Sequence, residues 1–273
     1  MKRTAPWNLY LLVLLMLSES AVCGQTASPS KVERGSLTAK NGFKNETEIA
    51  AKLNSWRTDD DAKNWLTSMN YKLDDIENVL ATKPHGEKAD VEVRVKTKKG
   101  EKTEGISIKL VSSPNGFNQI DKRWLSHYAK MWKMPAGVEA TLRYFLGEVQ
   151  PLKPGRDPKR MYLNELDSGS QKAVIDFFTA NKAEIVSDLF QGDGIHAAGW
   201  MMVALKATEN TRWVLHPSAD AIKFFGEGRV EITRAGNLKI GRITMQRKGG
   251  DGGRDTAKML QFKINPVQLF NAK

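Results

Sequence analysis

The segment 89–111 constrains the fold of this chain more than any other, because apolar and polar residues alternate along two consecutive runs. The apolar positions of the two runs are Val91, Val93, Val95, Ile106, Ile108 and Leu110. Alternation with a period of two is typical of a β-strand that turns one face to the core and the other to solvent. The polar residues 98–102 separate the runs around Gly100, so the segment predicts a β-hairpin.

Folding this hairpin about Gly100 brings four polar side chains together at the end away from the turn. Asp90 and Lys109 come to the same end. Because side chains two positions apart share a face, Glu92 and Ser107 are expected to converge with that pair. Taken alone, the polar face favours the simplest interpretation, in which its charges are solvated at the edge of a sheet.

The same polar group also fits the needs of a metal-dependent phosphodiesterase. Cleavage of a phosphodiester needs a divalent cation, and magnesium prefers oxygen ligands such as carboxylates, carbonyls and water. Asp90 is the candidate ligand, and Ile108 can contribute its backbone carbonyl. Lys109 is then placed to orient the attacking water and to stabilise the negative charge that develops on the phosphate.

The charge balance of the chain favours an anionic partner. Its 273 residues include 42 Lys and Arg against 31 Asp and Glu, which gives a formal net charge of +11. Such an excess suits nucleic acid, although basic secreted and membrane-surface proteins share it. The single cysteine, Cys23, excludes an intrachain disulfide and a thiolate metal site, and the four histidines are too scattered to indicate a zinc site.

The N-terminus has the pattern of a secretory signal, with a charged start, an apolar run over residues 9–17 and small residues after it. The apolar run is too short for a comfortable transmembrane helix. Two other interpretations explain the same pattern: a wrongly assigned start codon, with the true start near Met16 or later, or an uncleaved anchor. We therefore divide the chain into an N-terminal segment with its linker, residues 1–34, and one folded domain, residues 35–273.

The spacing of apolar residues predicts the elements of this domain. A spacing of three or four residues indicates helices, whereas alternating or continuous short apolar runs indicate strands. The predicted helices span residues 44–56, 59–80, 116–132, 168–181 and 182–190. The predicted strands, besides the hairpin, span residues 199–205 and 212–215, with short strands and turns over 229–270.

A first polar cluster, Asn118, Gln119 and Lys122, lies near the start of the predicted helix 116–132. Amide side chains can pair with base edges, and lysine donates hydrogen bonds to guanine or to phosphate. The cluster therefore has the composition of a DNA contact. A helix start capped by an amide explains the same residues.

A second polar cluster, Gln246, Arg247 and Lys248, opens the glycine-rich segment 246–254. Glycines let the backbone approach DNA closely, and the cationic and amide side chains can contact phosphates and bases. A flexible basic turn is the alternative interpretation. The segment is not a nucleotide-binding P-loop, because no Gly-Lys-Ser/Thr ending follows the glycines.

Six sequence blocks, in order between about Gly35 and Phe270, support a more specific interpretation. The blocks are Gly42–Glu46, Ile108–Val111, Gly116–Lys122, Trp124–Leu125, Met131–Lys133 and Gly241–Ile264. Together they resemble the HinP-type restriction endonucleases, the type II enzymes of the PD-(D/E)XK nuclease superfamily that cut the palindrome GCGC. The resemblance implies an α/β fold with a restriction-endonuclease-like core, in which helices flank a mixed central β-sheet.

The resemblance also implies roles for individual residues at the hairpin. Asp90 matches the metal-binding aspartate of the family, and Lys109 matches its catalytic lysine. Ser107 stands where the family has a glutamine, and a hydroxyl is a shorter and weaker ligand than an amide oxygen. The implied metal ligands are Asp90, Ser107 and Ile108. Glu46, on the first helix, is a further candidate catalytic carboxylate.

Both polar clusters fall within blocks that match the family, which implies that they contact DNA. The implied DNA-binding residues are Asn118, Gln119, Lys122, Gln246, Arg247 and Lys248. The implied activity is hydrolysis of phosphodiester bonds in double-stranded DNA at GCGC by a metal-activated water, with Mg2+ as the cofactor and no organic cofactor. A cognate DNA methyltransferase is expected in the same cell, but not as a bound partner.

Two alternatives from other classes stay open at this point. One is a DNA-binding relic of such a nuclease, weakened in catalysis by Ser107. The other is an exported basic protein that reuses the nuclease fold. The location follows the N-terminus: a misassigned start codon implies the cytoplasm, whereas a real signal in residues 1–24 implies the periplasm or the extracellular space.

Overall fold

A computed structural model describes residues 31–84, 86–192, 194, 196–206, 211–250 and 253–271 of the chain. The signal-like residues 1–24, including Cys23, lie outside the described residues. Among the helices of the described ranges, none combines the length and the apolar character needed to cross a membrane.

The described residues form seven α-helices and ten β-strands. The helices are α1 (Lys31–Asn54), α2 (Asp60–Ser68), α3 (Leu125–Met131), α4 (Ala136–Leu146), α5 (Ser168–Ala180), α6 (Lys182–Phe190) and α7 (Ser218–Gly226). The strands are β1 (Ile76–Thr82), β2 (Val91–Thr97), β3 (Gly100–Val111), β4 (Asn118–Arg123), β5 (Trp200–Leu205), β6 (Arg212–Pro217), β7 (Val230–Ile232), β8 (Leu238–Ile240), β9 (Ile243–Arg247) and β10 (Leu260–Ile264).

The first sheet carries the predicted hairpin, β2 and β3, and has the strand order β1-β2-β3-β5-β6. All neighbouring strands are antiparallel except β3 and β5, which are parallel. Strand β3 is 12 residues long. Its first half pairs with β2, and its second half, from Ile106 to Val111, pairs with β5. This confirms the predicted α/β fold with a mixed central sheet.

Both faces of the first sheet are covered. On one face, Leu53 of α1 and Leu66 of α2 pack in one apolar cluster with Ile106. On the other face, Val203 of β5 belongs to a second, larger core. The polar face of the hairpin is therefore not wholly in solvent, and Ser107 is only 5% exposed.

The second sheet is antiparallel throughout, with the strand order β4-β10-β9-β8-β7. Its strands β7 to β10 agree with the prediction of short strands over residues 229–270. Met245 and Phe262 belong to the larger core, together with Tyr128 of α3. The two sheets thus share one apolar interior, and β4 brings the first polar cluster beside β3.

The prediction of one helix over residues 116–132 is wrong, because this segment forms strand β4 followed by helix α3. The apolar residues of the segment have helical spacing, which local reasoning cannot distinguish from two short elements. Pairing with β10, more than 130 residues later in the chain, supplies the backbone partners of β4. Asn118, Gln119 and Lys122 consequently lie on a strand rather than at a helix start.

Two other helix boundaries also differ from the prediction. The helix predicted over 59–80 ends at Ser68, and Asn70 adopts a left-handed φ of 68° before the chain enters β1. Helix α1 begins at Lys31, so it includes part of the predicted linker. Helices α5 and α6 agree closely with the predictions for residues 168–190.

Candidate active site

A cleft of about 550 Å³ opens between strands β3 and β4, and we call it the central cleft. The loop before β2, the middle of β3 and residues 119–123 of β4 line it. Its polar lining residues are Glu87, Lys88, Asp90, Ser107, Lys109, Gln119, Asp121, Lys122 and Arg123. The cleft therefore joins the polar end of the hairpin to the first polar cluster.

Asp90 is fixed at the end of the hairpin by hydrogen bonds to β3. Its backbone N–H donates to the carbonyl of Ile106 at 2.9 Å. Its Oδ2 atom accepts the backbone N–H of Ile108 at 2.6 Å and lies 3.4 Å from Oγ of Ser107. These bonds hold the carboxylate over the middle of β3, where both sheet pairings meet.

Lys109 completes this group from the same face of β3. Its Nζ atom donates to Oγ of Ser107 and to the carbonyl of Ile108, each at 3.2 Å, and lies 3.8 Å from Oδ2 of Asp90. The structure therefore brings Asp90, Ser107 and Lys109 together. Glu92 does not join them: its Oε1 atom lies 2.5 Å from Nδ1 of His196, and this contact raises the pKa of His196.

The donor atoms around Asp90 fit a hard divalent cation. The Asp90 carboxylate, the Ser107 hydroxyl and the Ile108 carbonyl are all oxygen donors, which magnesium prefers over nitrogen or sulfur. Within the described ranges, no group of three or more Asp, Glu, His or Cys side chains is arranged to hold a metal. A site with one carboxylate suits magnesium, which keeps several waters and takes further oxygens from a phosphate substrate.

The structure does not bring Glu46 to this group. Glu46 lies on α1, and its Oε2 atom is 3.2 Å from Nζ of Lys83. It is not among the described residues that line the central cleft. Asp121 on β4 does line the cleft, where its carboxylate accepts the Nε–H of Arg123 at 3.2 Å.

Lys88 is a residue of the central cleft that the sequence reasoning missed. Its ammonium is buried and donates to the carbonyl of Ile120 at 3.0 Å and to the carbonyl of Leu189. Burial lowers the pKa of Lys88 to about 8; the negative charge of Asp121 opposes this shift, whereas the positive charge of Lys109 adds to it. A lysine in a loop has no periodic signal, so the alternation that predicted the hairpin could not have found it.

The six predicted DNA contacts divide between two places. Gln119 and Lys122 line the central cleft, and the side-chain amide of Asn118 donates to the carbonyl of Leu110 at 3.1 Å. Gln246 and Arg247 line a second cleft, described below. The backbone N–H of Lys248 donates to the carbonyl of Met259 at 2.8 Å, which continues the pairing at the end of β9.

Comparisons with known proteins give two findings. The family model described as R.HinP1I restriction endonuclease matches residues 69–270. The structure resembles the crystal structure of the restriction endonuclease MspI in complex with its cognate DNA, with a TM-score of 0.54 and 12% sequence identity. That match covers 81% of this chain and 83% of the MspI chain. Comparison with curated protein sequences returns no match.

Proposed function

Since the chain belongs to the R.HinP1I restriction endonuclease family, we propose that it hydrolyses double-stranded DNA at the palindrome GCGC, with Mg2+ as its cofactor. Family and fold together support a type II site-specific DNA nuclease. The matched MspI structure contains cognate DNA, which supports double-stranded DNA as the partner. We propose GCGC as the recognition sequence, Mg2+ as the metal, and the residue roles that follow.

One observation carries the proposed chemistry: a carboxylate, a hydroxyl and an ammonium meet within 4 Å of one another in a cleft. Asp90, Ser107 and the Ile108 carbonyl would hold the ion. When bound, magnesium would offset charge on the phosphate and lower the pKa of a water molecule. Lys122 and Arg123, on the opposite wall of the cleft, supply positive charge for the DNA backbone.

Lys109 has the central role in the hydrolytic step. Hydrolysis forms a bond between the oxygen of water and phosphorus and breaks a bridging P–O bond, so negative charge grows on the phosphate oxygens. The Lys109 side chain is only 15% exposed, and Ser107 and Ile108 hold its ammonium in one position. A fixed ammonium in a partly dry cleft orients the water and stabilises this charge without reorganising during the reaction.

A second candidate function is DNA binding with weakened catalysis, and Ser107 is the observation that favours it. The Ser107 hydroxyl lies between Asp90 and Lys109 and is engaged with both. A hydroxyl has one donor and two acceptor positions, so only one acceptor position is left for an ion. A glutamine at this position would carry its amide oxygen about two bonds further from the strand.

Digestion of a plasmid by the purified full chain with Mg2+ tests the proposed function. We expect discrete fragments whose ends map to GCGC, and no cleavage when the metal is chelated. A matched plasmid in which each GCGC carries one substituted base is the control, and it should remain intact. Intact DNA in both reactions, or fragmentation that ignores sequence, contradicts the proposal.

A further inference from the structure

A second cationic cleft, of about 360 Å³, lies beside strand β9, and we call it the arginine cleft. The loop that follows α4, the turn between β7 and β8, and the end of β9 line it. Its polar lining residues are Arg156, Arg160, Tyr162, Asn237, Gln246 and Arg247. No carboxylate is among the lining residues within the described part of the chain, so the charged groups that line the cleft are all positive.

The C-terminal end of helix α4 holds two of these arginines side by side. Nη1 of Arg160 donates to the carbonyl of Phe145 at 3.4 Å, and Nε of Arg247 donates to the carbonyl of Leu146 at 2.8 Å. These are terminal helix carbonyls, which lack intrahelical partners and carry the negative end of the helix dipole. Burial, together with the neighbouring charge of Arg160, lowers the pKa of Arg247. Two like charges are thus kept close together, which favours an anion between or above them.

The Tyr162 ring packs against two of the guanidinium groups of the cleft. The Cζ atoms of Arg156 and Arg160 lie 4.1 Å and 4.0 Å from the centroid of its ring. Nε of Arg156 lies 2.9 Å from the Glu165 carboxylate, and Nε of Arg160 lies 3.2 Å from that of Asp157. A guanidinium has five N–H donors, and these contacts use few of them, so donors remain for a ligand.

Two backbone segments pack closely beside the arginine cleft. Gly236, in the turn between β7 and β8, has a φ of 81°, a conformation that favours glycine. A Cβ atom at this position would lie 2.6 Å from Cβ of Tyr162 and 2.8 Å from Nη2 of Arg156. The turn therefore approaches the arginine loop more closely than any residue other than glycine allows, and it fixes the loop against the second sheet.

The register of the second sheet gives the separation between the two clefts. Lys122, in the central cleft, is directly opposite Gln261, and Gln261 is directly opposite Gln246, in the arginine cleft. Two strand spacings of about 4.8 Å place Lys122 and Gln246 about 10 Å apart. Because one DNA strand carries a phosphate every 3.4 Å along the helix axis, this distance corresponds to about three nucleotides.

We propose that the arginine cleft binds backbone phosphates of the DNA duplex, about three nucleotides from the phosphates that Lys122 contacts in the central cleft. The inference rests on the proposed function and adds Arg156 and Arg160 to the DNA-contact residues. Arginine forks fit phosphate oxygens, and three guanidiniums line the cleft, two of them against the Tyr162 ring, so the cleft suits an anion better than a neutral ligand. The arginine cleft positions the duplex, and Asp90 and Lys109 act at the bond that is cut.

Binding of a fluorescent GCGC duplex to the full chain, measured by anisotropy in EDTA at 50 and 200 mM salt, tests this inference. Each lost phosphate contact reduces the magnitude of the slope of log K against log salt by about 0.9. The ratio of the affinity at 50 mM salt to the affinity at 200 mM salt therefore falls by about 3.5-fold. We expect this loss for Arg156→Gln and for Arg160→Gln, and about 12-fold for the double variant. Arg160→Lys keeps the charge and should keep the wild-type slope.

Arg242→Gln is the matched control. Arg242 lies just before the other end of β9, with its guanidinium 4.2 Å from the Phe224 ring centroid and 2.7 Å from the Glu227 carboxylate, but outside the arginine cleft. The Arg242→Gln variant removes one positive charge from a similar aromatic and acidic environment. Because this charge lies outside the arginine cleft, the salt dependence should remain that of the wild type. Thermal unfolding checks that each variant is folded. If Arg160→Gln does not fold, the comparison of Arg156→Gln with Arg160→Lys still tests the inference.

Three outcomes overturn the inference. Variants with the salt dependence of the control show that the cleft does not bind phosphate. A variant that loses discrimination between GCGC and a substituted duplex, with an unchanged slope, reads a base instead. A variant weakened equally at both salts has lost a packing contact. If one of these outcomes is found and the wild type binds and cuts the duplex, only the inference fails. If the wild type neither binds nor cuts the duplex, the proposed function fails as well.

Discussion

The backbone N–H of Ile108 donates a hydrogen bond of 2.6 Å to Oδ2 of Asp90. Ile108 lies between Ser107 and Lys109 on β3, so this one bond fixes the carboxylate beside both neighbouring side chains. The bond is charge-assisted, and its donor belongs to the backbone of a central strand, so the strand itself fixes the position of the donor. The proposed active site therefore depends on the hairpin register as much as on its side chains.

Replacement of Lys109 by glutamine should abolish most of the cleavage while leaving DNA binding largely intact. The glutamine side chain is polar and only one bond shorter than that of lysine, but it lacks the charge that stabilises the developing phosphate charge. We expect a loss of about 100-fold to 1,000-fold in the single-turnover cleavage rate of a GCGC duplex. Lys96→Gln is the control, because Lys96 lies on the same hairpin, 57% exposed and paired with Glu77, outside the cleft. Equal rates for both variants would remove Lys109 from the proposed chemistry.

Replacement of Ser107 by glutamine separates the two candidate functions. If the serine limits catalysis, the longer amide oxygen should raise the cleavage rate, by an amount measured in the same single-turnover assay. Ser107 is 5% exposed, so the larger side chain also costs about 1–3 kcal/mol of folding stability through overpacking. A thermal unfolding curve reports that cost separately. Faster cleavage supports the weakened enzyme, whereas slower cleavage by a folded variant shows that serine is the better residue here.

Lys88 should make folding stability depend on pH in the alkaline range. Its pKa in the folded protein is about 8, below its ordinary value of 10.5, so the unfolded chain binds more protons between these two values. Stability contributed by this residue therefore rises with pH from about 8 to about 10.5, by about 3 kcal/mol in total. Chemical denaturation at several pH values checks this against Lys88→Met, whose profile should lack the rise. Parallel profiles for the two proteins would contradict the burial of the ammonium.

Gly236 and Gly86 form a matched pair for the close approach at the arginine cleft. Their φ angles are 81° and 79°, but a Cβ atom would meet nothing within 4 Å at Gly86 and three atoms under 3 Å at Gly236. Alanine at Gly86 should cost only the backbone strain, about 1–2 kcal/mol. Alanine at Gly236 should cost about 1–3 kcal/mol more, because Tyr162 must also shift. Equal free energies of unfolding for the two variants would show that the turn does not hold the arginine loop.

Features that depend only on residues near one another in the chain could be predicted from the sequence. Alternation predicts the hairpin, and its turn brings Asp90 and Lys109 together, because strand geometry alone determines which side chains share a face. The burial of Ser107 could not be predicted in the same way, since it depends on the parallel pairing of β3 with β5, almost one hundred residues later.

The parts that sequence reasoning missed depend on contacts between distant segments. The segment 116–132 has helical apolar spacing, and only the pairing of β4 with β10 makes its first part a strand. Arg156 and Arg160 lie in a loop without periodicity, and the turn at Gly236 brings them to β9. Composition and family resemblance predicted Gln246 and Arg247 as DNA contacts. Their position beside Arg156 and Arg160 could be seen only in the folded structure.

The most direct test of the account compares the full chain with its Asp90→Asn variant on one labelled GCGC duplex in Mg2+. Asparagine can still accept the Ile108 N–H, but it lacks the negative charge proposed to bind the metal. We predict specific cleavage by the wild type, and a rate at least about 100-fold lower for the variant with binding in EDTA retained. Cleavage by Asp90→Asn at the wild-type rate would contradict the central claim that this carboxylate is the centre of the active site.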